Sequence, residues 1–271
     1  HEVDTVRQLN YQFIQSLNLS DEDIQELISP TVNEIKDTMG LDPRKSIVYL
    51  CGKNLKAENI QYVDAAARAL MANPETINDP YIRNRIKKMI NKRIREAKIG
   101  VLDVCGNFQI ISGDIYALCE SMFGLEVHGL LKAGELYSKY WKDAGINRVM
   151  CARAPMSNEH SLVSQDICYD DKVEYWFEYM DTVAVVNAWD TMPMALNGFD
   201  FDGDLLFTTD SAPLLRNQKN LPALNCIQYN ASKKVVTEED VIKANKNGFG
   251  SKIGSITNRI TAITSLMANY E

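Results

Sequence analysis

The stretch Asn197 to Asp210, NGFDFDGDLLFTTD, sets Asp200, Asp202 and Asp204 at every second position and then runs into Leu205, Leu206 and Phe207. Read as extended chain, alternate side chains share a face, so the three acids converge while Phe199 and Phe201 turn toward a core. Gly203 allows a tight backbone turn between the last two acids. Three converging carboxylates repel and raise one another's pKa unless a hard divalent cation sits among them. With few other ligands in reach, such a cation keeps positions open for water and phosphate oxygens, which is how Mg²⁺ is ordinarily held. Phe199, Phe201 and Leu205 are then expected to pin the loop to a barrel.

Other chemistries use acids at similar spacing. An EF-hand loop wants Gly at its sixth position and Glu at its twelfth, whereas here Gly203 is fourth and Ser211 twelfth. An aspartyl-phosphate phosphatase uses two acids one residue apart after a strand, the first as nucleophile. It also wants a small hydroxyl residue where this sequence has Asp204. A solvated acidic turn leaves unexplained why the acids alternate with aromatic and aliphatic residues.

The 271 residues are 45% hydrophobic and 24% charged, enough to bury the core of one large domain or two smaller ones. A net charge of −7 argues against polyanion binding by the whole surface and leaves room for a local basic groove. No apolar run approaches the roughly 18–20 residues of a bilayer span, and the charged start HEVDTVRQ is no signal peptide. The expected compartment is the cytoplasm or the nucleus. Because the first residue is His1 and not Met, the chain is expected to be a piece of something longer. Cys51, Cys105, Cys119, Cys151, Cys168 and Cys226 are scattered singly, with three histidines to help them. That argues against zinc and for buried or half-buried thiols in a reducing compartment.

The pattern predicts an α+β protein with a helical region over 1–100, a barrel over 101–230 and C-terminal helices over 231–271. SDEDIQELISPTVNEIKDTMG opens on Ser20 as N-cap with Asp23 three residues on and stops at Gly40, with Pro30 expected to kink or split it. AENIQYVDAAARALMANP follows, then DPYIRNRIKKMINKRIREAKIG, with Ile82, Ile86, Ile90 and Ile94 at i,i+4 spacing plus Met89. From Val101 the texture changes to VLDVC, FQIISGD, LEVHG, NRVMCA, TVAVVNAW and DLLFTT as strands, with DIYALCESMFG and GELYSKYWKDAG as short helices. Such irregular spacing favours a compact β-barrel with insertions over a doubly wound parallel sheet. Past Thr237, TEEDVIKANKNG and SKIGSITNRITAITSLMANYE read as helices.

FDFDGD resembles the metal-binding loop of the two-barrel RNA polymerases. That superfamily joins the largest subunit of multisubunit DNA-directed RNA polymerases to the RNA-dependent RNA polymerases of gene silencing and to single-chain phage relatives. CARAPMSNEH resembles the Arg-x-Pro segment before the catalytic loop. FQIISGDIYAL resembles a Gly-Asp segment near the start of the second catalytic barrel, and GSKIGSITNRITAITSL the helix that follows the loop. The set runs in order from about Val101 to Leu266.

The resemblance implies a double-psi β-barrel and template-directed nucleotidyl transfer, in which a 3′-hydroxyl attacks the α-phosphate of a nucleoside triphosphate. Two Mg²⁺ ions take part, one held by Asp200, Asp202 and Asp204 and one shared with the triphosphate. Arg153 corresponds to a residue that reads the ribose, with Pro155 fixing the turn. Asn197, three positions before the first acid where the bacterial subunit has its asparagine two before, is the candidate second ribose reader. Basic residues that grip the triphosphate come from a second barrel. None is legible in residues 1–100, so that barrel is expected before His1 in a longer chain or on another subunit, leaving this piece inactive alone.

The helix from Arg83 to Lys98 holds Arg83, Arg85, Lys87, Lys88, Lys92, Arg93, Arg95 and Lys98, read as lying away from the isoleucine stripe. Arg85, Lys88, Lys92 and Arg95 are candidate phosphate contacts, against the plainer reading of a solvated face. Lys252 and Arg259 are candidates on the last helix, and Asn258 matches a family asparagine there. His128 and His160 read as structural, and Trp141, Trp176 and Trp189 as core anchors. Asp210 reads as a supporting acid or as the cap of SAPLLRN. The expected partners are template, RNA product and nucleoside triphosphates, with a DNA template slightly favoured over RNA. A non-catalytic nucleic-acid-binding or assembly module, and a Mg-dependent phosphatase, stay open as alternatives.

Overall fold

The computed structural model describes residues 3–52, 63–156, 158–196, 199–224, 233–248 and 252–267. It divides into two compact units, Ser20–Val104 and the rest of the chain.

Ser20–Val104 is built of the helices Asp21–Met39, Pro43–Cys51, Ala65–Ala72 and Pro80–Lys98 with a 3₁₀ turn at Pro74–Asn78. The first begins with the expected capping box: Ser20 Oγ accepts the Asp23 N–H at 3.1 Å, and Asp23 Oδ2 accepts the Ser20 N–H at 3.2 Å. It does not break at Pro30. That residue is exposed, and the helix continues past it to Met39 without the hydrogen bond that its missing N–H would make. Asp42, Asp64 and Asp79 cap the next three helices. Ile82, Ile86 and Ile90 pack with Ile35, Leu50 and Leu70 in the core of this unit, as the periodicity predicts, with Met89 and Ile94 at its edge.

Arg93 departs from the expectation of an outward-facing charge, being only 6% exposed. Three residues beyond Ile90 and seven beyond Ile86, it falls on the buried stripe. Its guanidinium donates to the Val101 carbonyl at 2.7 Å and pairs with Asp103 at 2.9 Å, which lets the charge sit inside.

The strands are β1 (Val6–Gln8), β2 (Asp103–Gly113), β3 (Glu135–Tyr137), β4 (Arg148–Ala152), β5 (Leu162–Ile167), β6 (Val183–Val186) and β7 (Leu205–Thr209), all in the other unit but for Asp103 and Val104 at the start of β2. Their order is β1-β2-β6-β3-β5-β4-β7, and β2 also pairs with β7. Strands β2 to β7 therefore close into a six-stranded barrel. The β2–β6 and β3–β5 pairs are parallel, and β2–β7, β3–β6, β4–β5 and β4–β7 are antiparallel. The α+β class and a barrel interrupted by helices are as expected, with the helices Glu238–Gly248 and Lys252–Met267 following.

Several details differ. VLDVC and FQIISGD contribute to one continuous strand, LEVHG is not a strand, and GELYSKYWKDAG splits into β3 and the short helix Lys139–Asp143. The Gly106 N–H donates to the Thr5 carbonyl at 3.1 Å, so β1 is attached to the barrel and residues 1–19 group with it.

The barrel interior is apolar around Leu136, Trp141, Val149, Cys151 and Leu206, with one buried polar chain threaded through it. Trp141 Nε1–H donates to Thr208 Oγ1 (2.8 Å), whose hydroxyl donates to Asn107 Oδ1 (2.7 Å). Gln109 Nε2 donates to the same oxygen (2.8 Å), and Ser138 Oγ donates to Gln109 Oε1 (2.9 Å). These bonds fix β7, the strand that follows the acids, against β2. Trp141 is the core anchor expected, but Trp176 and Trp189 are exposed. Cys151 and Cys168 are buried, Cys51 half-buried, Cys105 and Cys119 exposed, and Cys226 lies outside the described residues. Among the described residues no helix is long and apolar enough to cross a membrane.

Candidate metal centre and nucleic-acid interface

The acids lie on the loop that enters β7. Phe199 is buried in the barrel core, residues 201–203 form a turn, and Gly203 takes φ +115°, a conformation other residues rarely adopt. The turn breaks the strict alternation expected of extended chain. Phe201 and Leu205 are consequently 55% and 51% exposed, and of the three expected anchors Phe199 alone is buried. The acids converge all the same, since one ligand oxygen from each of Asp200, Asp202 and Asp204 lies within 4.8 Å of the other two.

Backbone pairing holds this arrangement. The Ile111 N–H donates to the Asp204 carbonyl at 3.2 Å, and the Asp200 N–H donates to Asp204 Oδ2 at 3.3 Å. The antiparallel register Ala152↔Phe207 brings the residue after β4 to the entry of β7. That residue is Arg153, whose Nη2 stands 2.8 Å from Asp204 Oδ2. Its guanidinium lies over the Phe199 ring at 5.3 Å, and the next peptide bond, Ala154–Pro155, is cis. Arg153 and Asp204 also line a cleft of about 450 Å³ with Gln8, Asn10, Phe13, Phe108, Ala154, Gly203 and Leu205.

The electrostatics follow from crowding. The Asp202 carboxyl is pushed above its ordinary value, first by its hydrogen bond to Asp200 and then by the Asp200 charge, burial and Asp204, with Arg153 opposing. A further cation among the acids would oppose that rise, as Arg153 does from one side. Mg²⁺ binds carboxylate oxygens at roughly 2.0–2.1 Å, so oxygens on opposite sides of one ion stand roughly 4.2 Å apart. The observed spacing fits a dication with a small closure of the loop.

The Gly-Asp segment has a structural task. Asp114 is buried; its Oδ1 accepts the N–H groups of Tyr116 and Ala117 at the start of the helix Ile115–Met122. Its Oδ2 accepts those of Leu130 and Leu131. Asp210 is hydrogen-bonded to Cys105; although that cysteine as a whole is exposed, partial desolvation of its sulfur first, then this bond, pushes the thiol up to about 11. The helix Ala212–Asn217 has Ser211 at its N-cap with no side-chain cap. His160 faces the Pro222 carbonyl at 2.7 Å and His128 faces Glu126.

The basic candidates separate. Arg85 donates twice to Asp64 Oδ2, at 3.1 and 2.7 Å, and Lys92 stands 3.6 Å from Glu96. Lys88 and Arg95 are exposed. These four belong to the unit Ser20–Val104 and the acids to the other. Lys252, Asn258 and Arg259 are exposed on the helix Lys252–Met267, with Lys252 Nζ 3.5 Å from Asn247 Oδ1. Asn197 lies outside the described residues.

No family profile matches the chain. It is 26% identical, over 263 residues, to the DNA-directed RNA polymerase YonO of Bacillus phage SPbeta, covering 94% of this chain and 30% of that protein. Among solved structures it superposes on the RNA dependent RNA polymerase QDE-1 from Thielavia terrestris with a TM-score of 0.56 at 12% identity, covering 98% of this chain and 31% of that one. The fold is that of the double-psi β-barrel RNA polymerase superfamily. The chain spans about a third of the length of each of these two relatives. The superfamily likeness runs through both units, although residues 1–100 carry no motif from which sequence reasoning could have found it.

Proposed function

We infer that the chain is the acid-bearing catalytic part of an RNA polymerase, which adds ribonucleoside monophosphates to an RNA 3′ end. The observation that carries this reading is the convergence of Asp200, Asp202 and Asp204 at the mouth of a closed barrel. A phosphatase of the aspartyl-phosphate type places its acids after a strand; here they precede β7.

Mg²⁺ held by these three carboxylates, with a second ion arriving with the triphosphate, would supply the charge that stabilises the entering and leaving oxygens. The chain's own residues then have positioning tasks. Asp200, Asp202 and Asp204 fix the cation relative to the barrel, and Arg153, at the cleft beside them, reads the ribose together with Asn197. No protein nucleophile is required. Burial pushes the Cys151 thiol far up, in keeping with an inert core residue.

Lys88, Lys92 and Arg95, with Lys252 and Arg259, contact the phosphate backbone of template or product; Arg85, held by Asp64, contributes less. The groups that grip the triphosphate come from a second barrel, in the same longer polypeptide or another subunit. The template is DNA, the polymer named for the phage relative, and the setting is a host cytoplasm.

The test is Asp202→Ala in the complete polymerase, assayed on DNA and RNA templates alongside Mn²⁺ titration of the purified protein. Loss of both synthesis and Mn²⁺ uptake with an unchanged circular dichroism spectrum is expected. Undiminished synthesis overturns the assignment, and turnover of a small phosphomonoester by this chain alone would favour a hydrolase.

A further inference from the structure

We propose that Arg153 is the resident counter-cation of the acid loop: it holds Asp204 in place before metal arrives, and the arriving divalent cation displaces it. The inference rests on the metal reading above and adds to it an order of events.

Three carboxylates whose oxygens lie within 4.8 Å of one another repel whether or not a metal is bound, so a positive charge beside them is stabilising in the metal-free state too. Arg153 supplies it through Nη2, 2.8 Å from Asp204 Oδ2. The same oxygen accepts the Asp200 N–H at 3.3 Å, so Arg153 and the backbone occupy it together. The Arg153 and Asp204 side chains are only 24% and 22% exposed, so solvent and salt screen the pair less than an ion pair on the open surface.

A dication bound by Asp204 and its neighbours would stand within a few ångströms of that guanidinium. Two positive charges at such a distance oppose each other, and one carboxylate cannot serve both fully. Arg153 has somewhere to remain. Its guanidinium already rests over the Phe199 ring at 5.3 Å, a contact that does not depend on Asp204. Released from Asp204, it stays at the wall of the 450 Å³ cleft that it lines with Gln8, Asn10 and Phe108, where an anionic or hydroxyl-rich substrate group can take it up. Metal loading therefore readies Arg153 for substrate. A lysine would do this poorly, because the flat guanidinium stacks on the ring and donates to the carboxylate at once.

The experiment compares Mn²⁺ affinity and metal-free melting of the wild type, Arg153→Gln and the double variant Arg153→Gln/Asp202→Asn. Arg153→Gln is expected to bind Mn²⁺ about tenfold more tightly, within the usual range of coupling between sites, whereas loss of a merely structural residue would weaken binding. Without metal, Arg153→Gln should lower Tm by about 2–4 °C. Adding Asp202→Asn, which removes one of the repelling charges, should restore it, as should saturating Mn²⁺. Equal or weaker Mn²⁺ binding by Arg153→Gln overturns the displacement, and an unchanged metal-free Tm overturns the counter-cation role. A wild type that takes up no Mn²⁺ overturns the metal reading and the displacement with it, while the metal-free melting of the two variants still decides the counter-charge.

Discussion

Gly129 stands so close to Asp114 that a Cβ on it would lie 2.6 Å from Asp114 Oδ2. Gly129 also has φ +72°, so glycine is required on two counts. Gly129→Ala is expected to destabilise the protein by about 1–3 kcal/mol, read as a lower midpoint in urea unfolding.

The carboxylate that Gly129 accommodates receives four backbone N–H groups, two from a helix start and two from the loop at Leu130 and Leu131. Asp114→Ala removes a cap and leaves loop donors without an acceptor, a loss of about 3 kcal/mol. The same unfolding measurement checks it. Mn²⁺ affinity should stay near wild type wherever the protein remains folded, since Asp114 is no part of the acid cluster.

Thr208 joins Trp141 to Asn107 inside the barrel. Thr208→Val keeps the shape and removes the hydroxyl, so the indole N–H loses its acceptor at a cost of about 2 kcal/mol. Thr208→Ser should cost less. Tryptophan near-ultraviolet dichroism and thermal melting together distinguish a local change at Trp141 from general unfolding.

Asp64 caps the helix Ala65–Ala72 and grips Arg85. Burial works against its charge, but the hydrogen bonds from Arg85 and the Ala66 N–H outweigh it and hold its pKa below the ordinary 3.8. A carboxyl whose folded pKa is depressed contributes stability that is present above the unfolded value and is lost as pH falls through the folded one. Asp64→Asn should lower Tm at pH 6–7 and narrow its gap from wild type as pH falls through 4 toward 3, measured by melting across that range.

Lys88→Glu with Arg95→Glu should weaken nucleic-acid binding by the complete polymerase and lower the slope of log affinity against log salt by about one for each phosphate contact removed. Arg85→Gln should instead lower Tm and leave the slope near wild type, because its guanidinium is engaged with Asp64. Filter binding over a salt series separates the two.

The acids were legible because Asp200, Asp202 and Asp204 fall within five residues of one another in the sequence. The helical unit was legible because Ile82, Ile86 and Ile90 repeat and because Ser20 and Asp79 announce the helix starts. The pattern hid what depends on partners distant in sequence. Strand β5 was missed because Ser164 and Gln165, polar and yet buried, interrupt its apolar signal. Strand β3 reads as helix in the sequence because Leu136, Tyr137, Tyr140 and Trp141 mimic helical spacing across a strand and the helix after it. Arg93 looked like solvent-facing charge because Asp103, its partner, is ten residues away. The turn at 201–203 exposed Phe201, which simple alternation had turned inward. Arg153 was placed by resemblance, but its pairing with Asp204 comes from the β4–β7 register and could not be read from spacing.

The closure of the barrel has a consequence for how the protein is made. Strand β2 pairs with β7 in a register that sets Gly106 against Thr209, about a hundred residues apart along the chain. Contacts of such long range form late and slowly, since the intervening loop must be closed before they repay its entropy. The acid loop enters β7, so a nascent chain still short of Thr209 carries its carboxylates with no ring to hold them. Cation binding and barrel closure should thus appear in one slow kinetic phase of refolding, and a polypeptide that has not completed its ring has no partly working site to misuse.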